Sequence, residues 1–561
     1  MQENRYRMKR RAVPWQPWAI FLGVLLVFLS GSFLSEGMGV PGLRNSVIAQ
    51  TITEDYGDFW LPELSQKNPD MESYLPMGYW LQAFFMKIFG DSLLGDKLYS
   101  VLVFVLCGFL IDLIWHEIGN NKRTDWIPLT FWCMTPVIPK YATSNLLEGP
   151  LTVFVLLSIY FYILALLWGT PGKKFERHRT KVFDEEVLGV EYTLPRFLLT
   201  GVSALCSSIA FLIKGFSGLF VVFMPIAIWL FSPNRKNLRP FCDMIVMMGF
   251  WGIFAMIIAI LSPGAHIAIS NYFSHNLIGG LLTESNVSSH MHILFVLIGQ
   301  MSLAVVCCSV LLVLLVKNMR IGTWLKYWKH RGEEFITHDD TRNMRFFWIF
   351  VTLGLCGVVP IMFGLKQYDF YLISVIPCFA LACGCLVQAH VNYWMTKLSD
   401  VAVIAFSVLG IAILFLGVLL NLSSISKVAF DYELLTDMKS ILPELQEGET
   451  VSCTEDVIED EATVYYFYRY KRITLDTSEH HPHMIGMYNT AEEHAKYADY
   501  QRMGIYTNTY HLYQLRSLDT TASVPATPIK ENSVDSLSAP SVRANSEALF
   551  PKEKETQPNE E

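Results

Sequence analysis

Val401–Leu420 reads VAVIAFSVLGIAILFLGVLL, twenty consecutive residues without a charge. A helix needs about 20 apolar residues to cross the hydrocarbon of a bilayer, so this stretch is read as a membrane span. Five more runs of similar character lie N-terminal to it: Trp18–Leu34, Leu98–Trp115, Leu151–Trp168, Phe241–Leu261 and Ile293–Val316. The bulk composition agrees. Of 561 residues, 52% are hydrophobic and only 17% charged, against about 25% charged in soluble chains.

Weaker runs between these six bring the expectation to about eleven spans, near 18–34, 98–116, 126–140, 148–169, 195–213, 215–231, 240–262, 291–316, 346–364, 368–389 and 401–422. Pro128, Pro136 and Pro139 make 126–140 the least regular of them. Trp18–Leu34 is longer than a secretory signal core and is read as a retained anchor. Lys and Arg gather at Arg5–Arg11, Lys173–Arg196, Arg235–Arg239 and Lys317–Arg345, whereas Pro263–His292 has neither. The positive-inside rule then puts the N-terminus in the cytoplasm and the long loop 35–97 outside. Within that loop, Leu43–Thr53 and Gly78–Phe89 have the amphipathic character of helices lying along the membrane plane.

After Lys427 the composition becomes that of a soluble segment. Residues 428–517 are read as a small external α/β domain, with strands expected at Glu449–Cys453, Thr463–Tyr470 and Tyr506–Leu515. The tail 518–561 is too poor in apolar residues to fold. The domain plan is therefore a membrane domain over 1–427, an external domain over 428–517 and a disordered tail.

Several function classes are excluded at this level. No basic stripe suggests nucleic acid. The 11 cysteines fall mostly inside apolar runs, where a cysteine acts as a small hydrophobe, and no Cys/His spacing suggests zinc. His480, His481 and His483 surround Pro482 and are read as a solvated loop. Ionisable groups deep in the spans would mark an ion pathway; they are nearly absent, which argues against a pump or ion-coupled transporter. Polar residues gather instead at the outer helix ends: Glu36, Arg44, Glu72, Lys140, Asn145, Glu148, Lys214, Lys366 and Gln367. A site at that depth can hold an anionic headgroup while a lipid tail stays in the bilayer.

These segments resemble a known family. GDFWLPEL (Gly57–Leu64), GYWL (Gly78–Leu81) and FGD (Phe89–Asp91) in the first outer loop, IKGFSGLF (Ile213–Phe220), and KQYDFY (Lys366–Tyr371) followed by Pro377 are similar in order and spacing to the lipid A aminoarabinose transferases. The protein O-mannosyltransferases are a more distant likeness. The resemblance implies a membrane all-α, polytopic bundle of the GT-C glycosyltransferase type. It implies an inverting glycosyltransferase that moves a hexosyl or pentosyl group from a polyprenyl-phosphate donor to a lipid, glycan or protein acceptor. The setting it implies is the outer face of a bacterial inner membrane, in lipid A or other cell-envelope modification.

Expelling a lipid phosphate calls for cations that stabilise the developing charge, and a hydroxyl acceptor calls for a carboxylate base. On that basis Glu36, Glu72 and Glu148 are the candidate catalytic acids. Arg44, Tyr79, Lys140, Asn145, Lys214, Lys366, Gln367 and Tyr371 are the candidate substrate-binding residues. No cofactor is called for, and a divalent metal is left open. One departure from the family matters: it usually has an Asp-Glu pair before the first-loop arginine, and this chain has VPGLR (Val40–Arg44). The competing expectation is therefore a non-catalytic relative that binds or helps to assemble a lipid-linked glycan.

Overall fold

The structure is a computed structural model. It describes residues 15–64, 75–118, 124–168, 194–232, 238–279, 286–318, 338–397, 400–487 and 498–516. Two compact units divide the chain, Met1–Lys427 and Val428–Glu561. Glu72 and the tail 518–561 lie outside the described residues.

The first unit is helical. In chain order its helices are α1 (Gln16–Leu29), α2 (Val40–Thr53), α3 (Met77–Phe89), α4 (Leu93–Glu117), α5 (Trp126–Met134), α6 (Val137–Tyr141), α7 (Glu148–Trp168), α8 (Leu194–Lys214), α9 (Met224–Phe231), α10 (Arg239–Leu261), α11 (Pro263–Asn271), α12 (His292–Asn318), α13 (His338–Phe363), α14 (Ile376–Lys397) and α15 (Asp400–Ser423). Among the described residues seven helices are long and apolar enough to cross a membrane: α4, α7, α8, α10, α12, α13 and α15. Shorter apolar helices occur at Trp18–Leu29, Phe220–Phe231 and Ile376–Gln388. The chain is a multi-pass membrane protein. The stretch 126–140 is not one continuous span, because it breaks between α5 and α6 at Thr135–Pro136.

Burial separates the interior of the bundle from its rim. Two-thirds of the α7 span is buried, against 6% for α10 and 11% for α15, so α7 is the central helix and the other two face lipid. α7 packs along α8 and α4, while α15 packs along α1. One core runs through α4, α5, α7, α13 and α14, with Trp115, Ile159, Tyr162, Phe350 and Leu381 fully enclosed.

The two helices of the first outer loop behave differently from each other. In α3, Tyr79, Gln82, Ala83 and Met86 are buried, while Phe84, Ile88 and Phe89 are exposed. That is an apolar outer face suited to an interface. α2 is more enclosed than an amphipathic reading of Leu43–Thr53 suggests: Gly42, Leu43 and every residue from Asn45 to Ile52 are buried. Several of its polar side chains bond within the protein. Gln82 in α3 bonds Ser46 and Asp96, and Gln50 donates to Asp91 at 2.9 Å.

In the second unit, five strands β1 (Thr450–Cys453), β2 (Thr474–Asp476), β3 (His483–Gly486), β4 (Tyr500–Arg502) and β5 (His511–Leu515) form one sheet in the order β2-β1-β3-β5-β4. β1 is parallel to both β2 and β3, and the β3–β5 and β5–β4 pairs are antiparallel. Three helices accompany it: α16 (Tyr432–Ile441), α17 (Glu455–Glu459) and α18 (Glu461–Lys471). The expected strand Thr463–Tyr470 is therefore a helix. Asp460 caps it by accepting from Ala462 N–H and Thr463 Oγ, and Arg469 and Lys471 occupy its last turn, where cations suit the helix dipole. These end effects outweigh the β-propensity of the aromatic run between them.

Candidate active site

Four elements bring charged residues to one end of the bundle. α7 opens on Glu148, and α8, antiparallel to it, ends on Lys214. The two side chains form an ion pair. The Glu148 side chain is 2% exposed and that of Lys214 28% exposed, so the carboxylate is enclosed and the lysine side chain is partly accessible.

The turn that aims Lys214 depends on Gly215. Its φ is +70°, and a Cβ there would lie 1.7 Å from the Tyr272 hydroxyl oxygen. Only glycine combines that backbone with that approach. Phe216 N–H donates to the same hydroxyl at 3.3 Å, which ties the Lys-Gly turn to the turn Tyr272–Gly279.

The segment between α13 and α14 supplies the opposite wall. Lys214 Nζ lies 4.3 Å from the Tyr371 ring centre and 5.4 Å from that of Phe370, within cation–π range. Asp369, in the same short turn, accepts from Lys140 Nζ at 2.9 Å and from the Tyr141 hydroxyl at 2.8 Å. The Tyr141 and Phe370 rings meet edge to face at 5.6 Å. Glu148, Lys214, Tyr371, Asp369, Lys140 and Tyr141 thus form one continuous cluster drawn from α6, α7, α8 and the turn Asp369–Ser374.

The other expected residues that the structure describes have surroundings of their own. Asn145 is in the left-handed region (φ 51°) and 3% exposed. Its amide donates to Gly42 O and to Ser46 Oγ, and Asn45 donates to its carbonyl. Asn145 therefore clamps α2 onto the segment leading into Glu148. Gly42 permits the approach, since a Cβ there would meet Ser144 O at 1.7 Å.

Gln367 is also a tie. Its side chain accepts from Ile293 N–H at 2.7 Å and donates to Gly364 O and His290 O, while its backbone exchanges bonds with Asn286. Tyr79 is 1% exposed and packs with Ile48, Ala49, Ile52 and Met86. Asn145, Gln367 and Tyr79 are thus each tied to neighbouring segments of the protein. Arg44 and Lys366 are half-buried. Glu36 is half-buried near Lys97, whose ammonium bonds Ser32 O and Ser35 O at 2.7 Å each.

Asp369 is the residue that sequence reasoning missed. It lies inside the quoted KQYDFY segment, but its partners Lys140 and Tyr141 are more than two hundred positions away. Among the described residues no three ligand-type side chains converge at this cluster.

Comparison with known proteins bears on this arrangement. ArnT from Cupriavidus metallidurans bound to undecaprenyl phosphate matches with a TM-score of 0.57 over 92% of this chain and 100% of that one, at 11% identity. The chain has the ArnT-like GT-C fold. The apo state of the same ArnT matches with a TM-score of 0.54, covering 90% of this chain and 99% of that one at 12% identity. The family pattern of dolichyl-phosphate-mannose-protein mannosyltransferases matches residues 68–173, a stretch that contains Tyr79, Lys140, Asn145 and Glu148. No curated protein matches the sequence. ArnT and this chain share an architecture while differing at nearly nine positions in ten.

Proposed function

We propose that this protein transfers a sugar from a polyprenyl-phosphate donor to a lipid, glycan or protein acceptor at the outer face of a bacterial inner membrane. The observation that carries the reading is the ion pair of the partly exposed Lys214 side chain with buried Glu148, on a fold shared with ArnT, which was crystallised bound to undecaprenyl phosphate. The donor's phosphate would sit on Lys214 and Lys140, with Arg44 and Lys366 as further cations. Tyr371 gives Lys214 a ring to rest on and limits where the ammonium can point.

In the reaction, an acceptor oxygen forms a bond to the anomeric carbon from the face opposite the phosphate. The carbon–oxygen bond to phosphate breaks, polyprenyl phosphate leaves with the electron pair, and the configuration inverts. Cations fixed where that negative charge develops lower the barrier. Engaging the phosphate draws Lys214 from Glu148, and the freed carboxylate takes the acceptor's proton. Glu36 and Glu72 are the alternative bases.

The VPGLR segment, which lacks the family's acidic pair, favours a second reading: a protein of this fold that binds or helps to assemble lipid-linked glycans without transferring them. The decisive experiment combines mass spectrometry of lipid A, surface glycans and glycoproteins, with and without the gene, with transfer assays on purified protein. One product present only with the gene, and lost in Glu148→Gln and Lys214→Gln, is expected. Undecaprenyl phosphate binding without any transfer would favour the second reading. Neither binding nor transfer would refute both.

A further inference from the structure

The second unit contains a group of side chains that plays no part in the proposed transfer. Asp476 at the end of β2, and Glu479 and His481 in the connection to β3, each present a ligand-type atom, and these atoms lie within 4.8 Å of one another. His481 Nε2 is 3.0 Å from Asp476 Oδ2 and 4.0 Å from Glu479 Oε2. In a tetrahedral zinc site with bonds of about 2.1 Å, neighbouring ligand atoms are about 3.4 Å apart. The Asp476–His481 pair is already near that spacing. Glu479, whose side chain is 71% exposed, is unconfined by packing and has room to turn towards the pair.

The surroundings hold this group in place. Ser478 donates through both N–H and Oγ to Asp476 Oδ1, at 2.8 and 2.6 Å, which orients Oδ2 towards His481. Ser452 Oγ donates to Glu479 O and accepts from His481 N–H, each at 2.8 Å, and the Tyr500 hydroxyl donates to His481 O at 2.6 Å. The backbone carrying two of the three ligands is thus fixed from β1 and β4. His483 lies outside the set, since its Nδ1 is 2.6 Å from Glu449 Oε1, and His480 stacks against Tyr500. Of the histidines in the HHPH segment, one faces the two carboxylates.

We infer that Asp476, Glu479 and His481 form a binding site for a zinc-class divalent cation, with water completing the coordination. One imidazole and two carboxylates form a donor set of the zinc type, whereas calcium and magnesium prefer oxygen alone. Binding requires the lone pair of His481 Nε2, so the ring proton resides on Nδ1 and the hydrogen bond to Asp476 gives way to two metal bonds. The ion would join the end of β2 to the loop entering β3 and stiffen that edge of the sheet.

The test is zinc titration of chelator-stripped, full-length protein in detergent, followed by calorimetry and by metal analysis after dialysis. One zinc per chain is expected that is lost in His481→Ala and Asp476→Asn and retained in His483→Ala. Ser478→Ala should weaken binding by about 10- to 100-fold, as loss of a ligand's hydrogen-bond partner does. Glu479→Gln is the variant that guards against misfolding, because its side chain lies in solvent; it too should weaken binding. The inference is overturned if wild-type protein retains no zinc, or if the zinc it retains is unchanged in Glu479→Gln and His481→Ala.

Discussion

Replacing Asp243 by Asn should destabilise the membrane unit more than any neutral change on its lipid-facing rim. Asp243, in the first turns of α10, is 0% exposed, and Arg196, near the start of α8, is 1% exposed. The guanidinium grips the carboxylate through two nitrogens, with Nε at 3.2 Å, and the Tyr162 hydroxyl of α7 donates to it at 3.0 Å. One carboxylate therefore joins three helices. Asparagine keeps the shape but leaves the guanidinium buried without its counter-charge, which costs about 3–5 kcal/mol. Tyr162→Phe removes a single hydrogen bond to a charged acceptor, worth about 1.5–3 kcal/mol.

The double variant Arg196→Met, Asp243→Leu removes both charges and should recover most of that loss, since apolar replacement of a buried ion pair is often neutral or stabilising by about 1–4 kcal/mol. Reversible unfolding in mixed micelles titrated with sodium dodecyl sulfate, followed by tryptophan fluorescence, gives the three free energies. A cost below about 1 kcal/mol for Asp243→Asn, or a double variant no better than the single one, would refute the view that an unpaired buried charge is the cause.

Gly215→Ala should disrupt the Lys214 turn through both its backbone and the Tyr272 contact; Lys214-dependent binding of undecaprenyl phosphate should fall, and Tyr272→Ala in the same chain should restore part of it by removing the clash. Gln367→Ala should lower the midpoint of unfolding by leaving the buried Ile293 N–H unmatched, at a cost of about 1–3 kcal/mol. In the second unit, partial loss of hydration at the carboxyl group and the neighbouring charge of Asp460 push Asp431 up from 3.8 towards about 6, a shift that the exposure of the residue to solvent moderates. The folded state thus holds this proton more tightly, so the stability it contributes is complete below about pH 3.8 and is lost as pH rises through 6. Asp431→Asn should flatten the stability profile across that window, and an unchanged profile would count against the assignment.

The parts legible in the sequence were those whose physics is local. A lipid-facing helix such as α15 must be apolar along its whole length, so VAVIAFSVLGIAILFLGVLL could be read directly. A lysine followed by glycine at a helix end, as at Lys214–Gly215, announces a turn with a cation on it. The parts that stayed hidden depend on partners distant in sequence. Asp369 reads as one acidic residue in an aromatic segment until α6 brings Lys140 and Tyr141 to it. Gln367 and Asn145 are legible as polar residues near helix ends, but that their amides also join distant chain segments is visible only in the fold. The aromatic run in α18 carried strand propensity, and its fate was decided by Asp460 one step outside it.

Helix α8 carries Arg196 near one end and Lys214 at the other, a separation of eighteen residues or about 27 Å along a straight helix. The first is locked to α7 and α10 and cannot slide, so the second is held at a set height, like a mark on a dipstick. That length is close to the roughly 30 Å of a bilayer's hydrocarbon. In thicker or thinner lipid the bundle would have to tilt or the bilayer to deform, and the ammonium would meet phosphate headgroups at a different level. Acyl-chain length in the surrounding lipid thereby becomes a tuning parameter for the level at which Lys214 sits in the membrane.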